Sequence, residues 1–369
     1  MLINQTMKIA FIGQKGVPAH NGGVERYVES LALNLASLGQ DILVYNRRDY
    51  LPERLNEFKG VKIINKPYLK GKNLANITHT FLAITDVLFR HVDIIHFQGI
   101  GPSLLSWLPK IFNPRVKIVA TLHSFDYCND KWGVFAKDML RLGERLMCRY
   151  ADKVIVLTDS MKDYVETTYS RPALLVPNGA HLYDASGEDR ILAWGLNKNN
   201  YILSVSRIIK LKGLQYLIDA FKRLKTDKKL VITGVGEYLP DLEKLAEGDD
   251  RIIFTGNQNG RTLDQLYANA YLFVQPSEME GLSLSLLEAM SHKTACLVSD
   301  IKANVEAVAA TGVTFISRDG QDLQDKLQYL LDNPELVATK AQAAYDRIKQ
   351  QFTWSEVAQK ILEVYQQVK

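Results

Sequence analysis

The chain has 369 residues, 47% of them hydrophobic and 23% charged, which suits a globular protein of about two domains and excludes a disordered or fibrous one. Cys128, Cys148 and Cys296 form no Cys-x-x-Cys pair, which argues against a disulfide framework or a zinc site and fits a reducing cytoplasm. The net charge of +4 is uneven: residues 1–183 carry 23 Lys and Arg against 16 Asp and Glu, residues 184–369 carry 22 against 25. A basic first half predicts an anionic partner, a phosphate or a membrane surface.

The first apolar run, Ile9–Ile12, has strand length and ends at Gly13, too short for a signal peptide. The stretch Gly13–Arg26 follows it. Gly22-Gly23 opens a helical pattern over Val24–Leu38, where Val24, Tyr27, Val28, Leu31, Leu35 and Leu38 form one stripe closed by Gly39. Glycines there free backbone N–H groups for a phosphate, or serve a turn alone. Further strand patterns lie at Ile42–Tyr45, Val61–Ile64, Asp93–Phe97, Val116–Leu122, Val154–Leu157 and Leu174–Val176. His123 directly follows the fourth of these. It is suited to a sugar hydroxyl, a phosphate oxygen or proton transfer, and equally to a structural role. Lys131–Arg145 mixes Trp132, Phe135 and Leu140 with Lys131, Lys137, Arg141 and Arg145, a pattern for an anionic membrane or an ordinary basic helix face.

Ala180–Asn200, richer in Gly, Asp and Asn, reads as a linker between domains 1–183 and 184–353. The second half repeats the scheme, with strands at Tyr201–Val205, Leu230–Thr233, Ile252–Thr255, Leu272–Val274, Ala295–Val298 and Val313–Ile316. This alternation predicts an α/β protein with two doubly wound parallel sheets, Rossmann-like domains facing each other across a cleft. Arg207 leaves the first strand of the second half, and Lys212 precedes Gly213 and the next helix; two cations there suit a diphosphate without a metal. Gly234 and Asn257 stand at two further strand ends, where loops hold a base or ribose or merely turn. No apolar stretch is long enough to span a bilayer, and no basic run interleaves with aromatics as nucleic-acid binding would require.

The most informative stretch is Glu278–Met290. A buried strand ends at Pro276, Ser283 is suited to cap a helix from Leu284, and Glu280 and Glu288 bracket that helix N-terminus. Such a terminus attracts phosphate, and carboxylates beside it are suited to hydroxyls, a combination met by a nucleotide sugar.

Taken together, these pieces resemble the retaining glycosyltransferases of family 4, of GT-B architecture, over nearly the whole chain. The residues are Gly22-Gly23, Thr121-Leu122-His123, Val176–Gly179, Arg207, Lys212-Gly213, Pro276-Ser277, and Glu280 with Glu288. The opening Ile12–Glu25 is similar to a subgroup that includes rhamnosyltransferases of bacterial surface polysaccharides. The helix 354–369 is similar to one that crosses back onto the first domain. The resemblance implies that Arg207 and Lys212 hold the diphosphate and Glu288 the ribose. It implies that Glu280 and the backbone of Gly281, Leu282, Ser283 and Leu284 hold the transferred sugar, with His123 nearby. One departure stands out: Ser283 and Ser285 replace a common glycine and proline, which leaves the sugar undefined.

The implied activity is metal-independent transfer of a sugar from a nucleoside diphosphate sugar to a glycan or polyprenyl-linked acceptor, with no other cofactor. The implied location is the cytoplasm or the inner face of the membrane. Two other readings stay open: an epimerase or hydrolase of the same fold, and a catalytically idle nucleotide-sugar-binding subunit.

Overall fold

The computed structural model describes residues 6–369 apart from Asn21, residues 72–73, Asp130 and residues 184–186. Asn21 of the glycine-rich stretch and residues 184–186 of the expected linker therefore lie outside the described residues. The chain forms two compact units, Met1–Asn178 with Trp354–Lys369, and Gly179–Thr353.

The first unit runs β1 (Lys8–Ile12), α1 (Gly23–Ser37), β2 (Asp41–Arg47), β3 (Glu57–Phe58), β4 (Val61–Lys66), α2 (Leu74–Val87) and β5 (Ile94–Gln98). It continues with α3 (Ile100–Ser103), α4 (Leu108–Phe112), β6 (Lys117–Leu122), α5 (Val134–Tyr150), β7 (Lys153–Val156), α6 (Asp159–Tyr169) and β8 (Ala173–Leu175). The sheet order is β3-β4-β2-β1-β5-β6-β7-β8. Its pairings are parallel except that β3 runs antiparallel to β4, a two-residue edge strand that the sequence reading did not contain. Burial explains the near-continuous apolar strands: all five residues of β5 are buried, as expected of a parallel sheet covered on both faces.

The C-terminal helix, Trp354–Val368, completes this unit. Its buried residues recur at helical spacing, among them Trp354, Val357, Ala358, Ile361 and Tyr365. The Trp354 ring meets the edge of Tyr27 on α1, with centroids 5.6 Å apart. Tyr365 Oη lies 2.7 Å from Nδ1 of His96 on β5, and His96 Nε2 lies 2.7 Å from Thr121 Oγ1 on β6. This buried polar chain ties the end of the sequence to the middle of the first sheet.

The second unit runs β9 (Tyr201–Val205), α7 (Leu214–Lys222), β10 (Lys229–Thr233), α8 (Leu239–Ala246), β11 (Ile252–Gly256), α9 (Gly260–Ala268) and β12 (Leu272–Gln275). There follow α10 (Leu284–Ser291), β13 (Cys296–Ser299), α11 (Lys302–Val308), β14 (Val313–Phe315), α12 (Gly320–Asp332) and α13 (Pro334–Gln351). The sheet order is β11-β10-β9-β12-β13-β14, and each pairing is parallel. Ile202, Leu217, Phe221, Leu230, Leu297 and Leu327 belong to one apolar core beneath it.

The described part of 180–200 is not a free tether. Ala180 N–H donates to the Phe352 carbonyl at 2.7 Å, Arg190 N–H donates to Gln265 Oε1 at 2.9 Å, and Ile191 and Leu196 are fully buried. Residues 179–183 accordingly fall in the second unit, and the division comes after Asn178 rather than after Tyr183.

Burial also predicts a pH dependence. Desolvation lowers the pKa of the buried His79 to about 4 and of His96 to about 3. The unfolded chain takes up these protons near pH 6.5, whereas the folded chain resists until pH 3–4, so stability is present above pH 6.5 and falls as pH drops through that window. Each histidine should cost roughly 2 kcal/mol at pH 5. Urea unfolding at pH 7 and pH 5 checks this; equal stabilities would contradict it.

Candidate active site

In open α/β sheets ligands bind beyond the carboxyl ends of the strands, where the strand order reverses. The second sheet reverses between β9 and β12, which are paired neighbours. The loops that leave these two strands carry most of the candidate residues.

The loop after β9 passes Arg207, turns once over Lys210–Lys212 and ends at Gly213, whose φ is +67°. A Cβ on Gly213 would lie 2.0 Å from the Pro276 carbonyl oxygen, so no larger residue permits this approach without a shift. Beside it the Glu278 N–H donates to the Leu211 carbonyl at 2.9 Å. The two loops are thereby held together, and Lys212 Nζ lies 2.5 Å from Glu280 Oε1. Ser277 Oγ donates to the same oxygen at 2.7 Å. The Lys212 and Glu280 side chains are only 18% and 10% exposed.

An ion pair this enclosed contributes little net stability, because desolvation offsets the attraction. Its chemistry is more telling. An ammonium has three donors, so Lys212 can hold Glu280 and still meet an anion. Arg207, in the loop just past the end of β9, is exposed. Gly234, at φ +143°, lets the loop after β10 press on this one, since a Cβ there would lie 1.9 Å from the Ser206 carbonyl oxygen. Asn257 follows β11 and is exposed.

The neighbouring Glu278 does something different. It accepts from Tyr216 Oη at 3.2 Å and pairs with Arg318 at 2.7 Å, which anchors the loop. Buried Gly281 and Leu282 lead to Ser283, the N-cap of α10, whose Oγ accepts from the Leu286 N–H at 3.3 Å and donates to Gln275 Oε1 at 2.7 Å. The serine is thus accommodated at φ −72°, with its hydroxyl engaged in the cap. Leu284 begins the helix, and Glu288 lies on its second turn, where Tyr267 Oη donates to Oε2 at 3.1 Å. Glu280 and Glu288 therefore have separate partners. Tyr267 was not singled out in the sequence, because a tyrosine within an amphipathic helix carries no signal of its own.

In the first unit the strand order reverses between β1 and β5. Gly22 caps α1 at φ +104°, and a Cβ there would lie 2.0 Å from Glu25 Oε2. Glu25 is buried and accepts the Lys15 N–H at 3.0 Å; Glu29 accepts the Ala19 N–H at 2.5 Å. The space opened by Gly22 is thus filled by a carboxylate that ties the glycine-rich loop to α1, and Gly23 is its first helical residue. Val17 N–H and carbonyl are both bonded by Asn46 at the end of β2, at 2.9 and 2.7 Å.

His123 Nε2 lies 2.9 Å from Gln98 Oε1, and the ring sits edge-on to Tyr27 at 4.7 Å. Burial pushes its pKa down to about 3, so the ring is neutral near pH 7 and suits a hydrogen bond better than a charge. Among the described residues no group of three His, Cys, Asp or Glu is arranged to hold a metal ion.

Two family models match the chain, one to each unit. Glycosyltransferase Family 4 matches residues 21–182, and Glycosyl transferases group 1 matches residues 192–347. The chain is a glycosyltransferase of the two-domain, Rossmann-like GT-B fold.

Its relatives are distant. It is 27% identical to alpha-D-kanosaminyltransferase of Streptomyces kanamyceticus over 74% of this chain and 77% of that protein. It is also 27% identical to N,N'-diacetylbacillosaminyl-diphospho-undecaprenol alpha-1,3-N-acetylgalactosaminyltransferase of Campylobacter jejuni subsp. jejuni, over 80% and 72%. Among solved structures, sucrose-phosphate synthase of Thermosynechococcus elongatus superposes with a TM-score of 0.85 at 20% identity, covering 98% of this chain and 99% of that one. HepE of Anabaena, in complex with UDP-glucose, gives 0.81 at 20% identity, covering 98% and 100%.

Proposed function

We propose that this protein transfers a sugar, with retention of configuration and without a metal, from a nucleoside diphosphate sugar to a lipid-linked or oligosaccharide acceptor of a cell-surface polysaccharide. The observation that carries this reading is the Lys212–Glu280 pair at the reversal of the second sheet, with Arg207 on the same loop. Cation and carboxylate together match the two halves of the donor. Lys212 and Arg207 take up charge on the diphosphate as its bond to the anomeric carbon breaks, and Glu280 stabilises positive charge on the sugar ring. The acceptor oxygen forms its bond on the face the diphosphate leaves, and its proton passes to a phosphate oxygen. His123, being neutral, hydrogen-bonds the sugar, and Glu288, oriented by Tyr267, holds the ribose. HepE, seen with UDP-glucose, and the Campylobacter relative, named for a diphospho-undecaprenol acceptor, support the two substrate classes. The resemblance of Ile12–Glu25 to rhamnosyltransferases supports rhamnose as the sugar.

Steady-state kinetics separate the two glutamates. Glu288→Gln removes binding shared by ground and transition states and should raise the donor KM, whereas Glu280→Gln should mainly lower kcat. The reverse pattern would overturn these roles. Product analysis with and without acceptor separates transfer from donor hydrolysis or epimerisation. The same assay in EDTA should keep its rate; loss restored by Mg²⁺ or Mn²⁺ would overturn the metal-independent reading.

Contact with an anionic membrane belongs to the same proposal. In the first unit Val134 and Phe135 on α5 are 79% and 75% exposed, with Arg141, Arg145 and Arg149 along the same exposed side of the helix. Phe112 on α4 is 70% exposed. Apolar rings with basic neighbours suit the interface of an acidic bilayer. Among the described residues no helix is long and apolar enough to cross one. Co-sedimentation should be stronger with phosphatidylglycerol vesicles than with neutral ones and should weaken in Phe135→Ser; equal binding to both would sink the idea.

A further inference from the structure

One buried amide connects both ends of the loop that carries Glu280. Asn304 on α11 is 1% exposed. Its Nδ2 donates to Ser299 Oγ at 2.9 Å, and Ser299 Oγ donates to the Ser277 carbonyl at 2.5 Å. Ser277 Oγ in turn donates to Glu280. On its other side Asn304 Oδ1 accepts from Gln275 Nε2 at 2.7 Å. Gln275 Oε1 then accepts from Ser283, the cap of α10. Gln275, Ser277 and Ser299 are buried as well.

From this network we infer that Asn304 is a positioning residue for the donor sugar, holding loop 276–283 so that the Glu280 carboxylate is aimed before the donor arrives. The inference rests on the reading of Glu280 as the carboxylate that meets the transferred sugar. The direction of the hydrogen bonds requires an amide. Asn304 must donate towards Ser299 and accept from Gln275, and asparagine does both at one side chain. A carboxylate at this site would have no donor for Ser299 and would be charged within a buried surround. Leucine preserves most of the volume but supplies neither bond, which leaves Ser299 and Gln275 with unmet polar atoms. Filling space between α11 and the sheet would not need this polarity. Ser283 joins the same network through Gln275, which fastens the far end of the loop.

The test is a double-mutant cycle of Asn304→Leu with Glu280→Gln, read as kcat. If Asn304 acts through Glu280, Asn304→Leu should lower kcat about tenfold in the otherwise native enzyme and less than twofold when Glu280 is already glutamine. Equal losses in both backgrounds would overturn the inference, because a general loss of packing is blind to Glu280. If Asn304→Leu fails to fold, Ser299→Ala removes one hydroxyl of the same chain and takes its place in the cycle. Full activity of Glu280→Gln alone would overturn the reading of Glu280 and this inference with it. An impaired Glu280→Gln with independent losses would overturn Asn304 alone.

Discussion

The approach of Gly213 to the Pro276 carbonyl is the constraint on which the second unit's site depends. β9 and β12 are neighbours in a parallel sheet, so the loops leaving them start one strand spacing apart and point the same way. Any side chain at residue 213 would force them apart. With glycine there, Lys212 comes within hydrogen-bond distance of Glu280, and opposite charges occupy one enclosed place. The desolvation cost of this arrangement makes it a poor source of stability, and the pair suits the role proposed above, in which one place meets both phosphate and sugar.

The two units share a plan but differ in electrostatics. Each reverses its strand order once, and each gathers candidate residues at the carboxyl ends beside the reversal. In the second unit the gathered groups include a cation and carboxylates. In the first, His123 is held neutral by burial, and the carboxylates of Glu25 and Glu29 are taken up by backbone N–H groups of the glycine-rich loop. The first unit's basic excess lies partly elsewhere, on the exposed side of α5.

The polar interior around loop 276–283 follows the rule that buried donors and acceptors find partners. Gln275 sits on a core strand and would be an unfavourable choice there without Asn304 and Ser283 on either side of its amide. Ser283 is therefore part of a set of buried polar partners and not an isolated feature of the loop.

Much of this fold was legible in the sequence because it rests on local chemistry. Strand–helix alternation, the stripe of α1, the Ser283 cap and the helix from Trp354 to Val368 all follow from side-chain spacing, which the backbone reads over a few residues. The glutamate spacing and the Lys212-Gly213 pair were visible for the same reason. The short strand β3 was not, since two edge residues carry no period. Nor could spacing assign Glu278 to anchoring its loop, or show that Tyr267 orients Glu288 or that Gln98 holds His123. Those pairings join residues brought together by strand order. Tyr365 and His96 are the clearest case, 269 positions apart and 2.7 Å from contact to contact. Such long-range partners are selected by packing and by the need to satisfy buried polar groups, which only the folded chain decides.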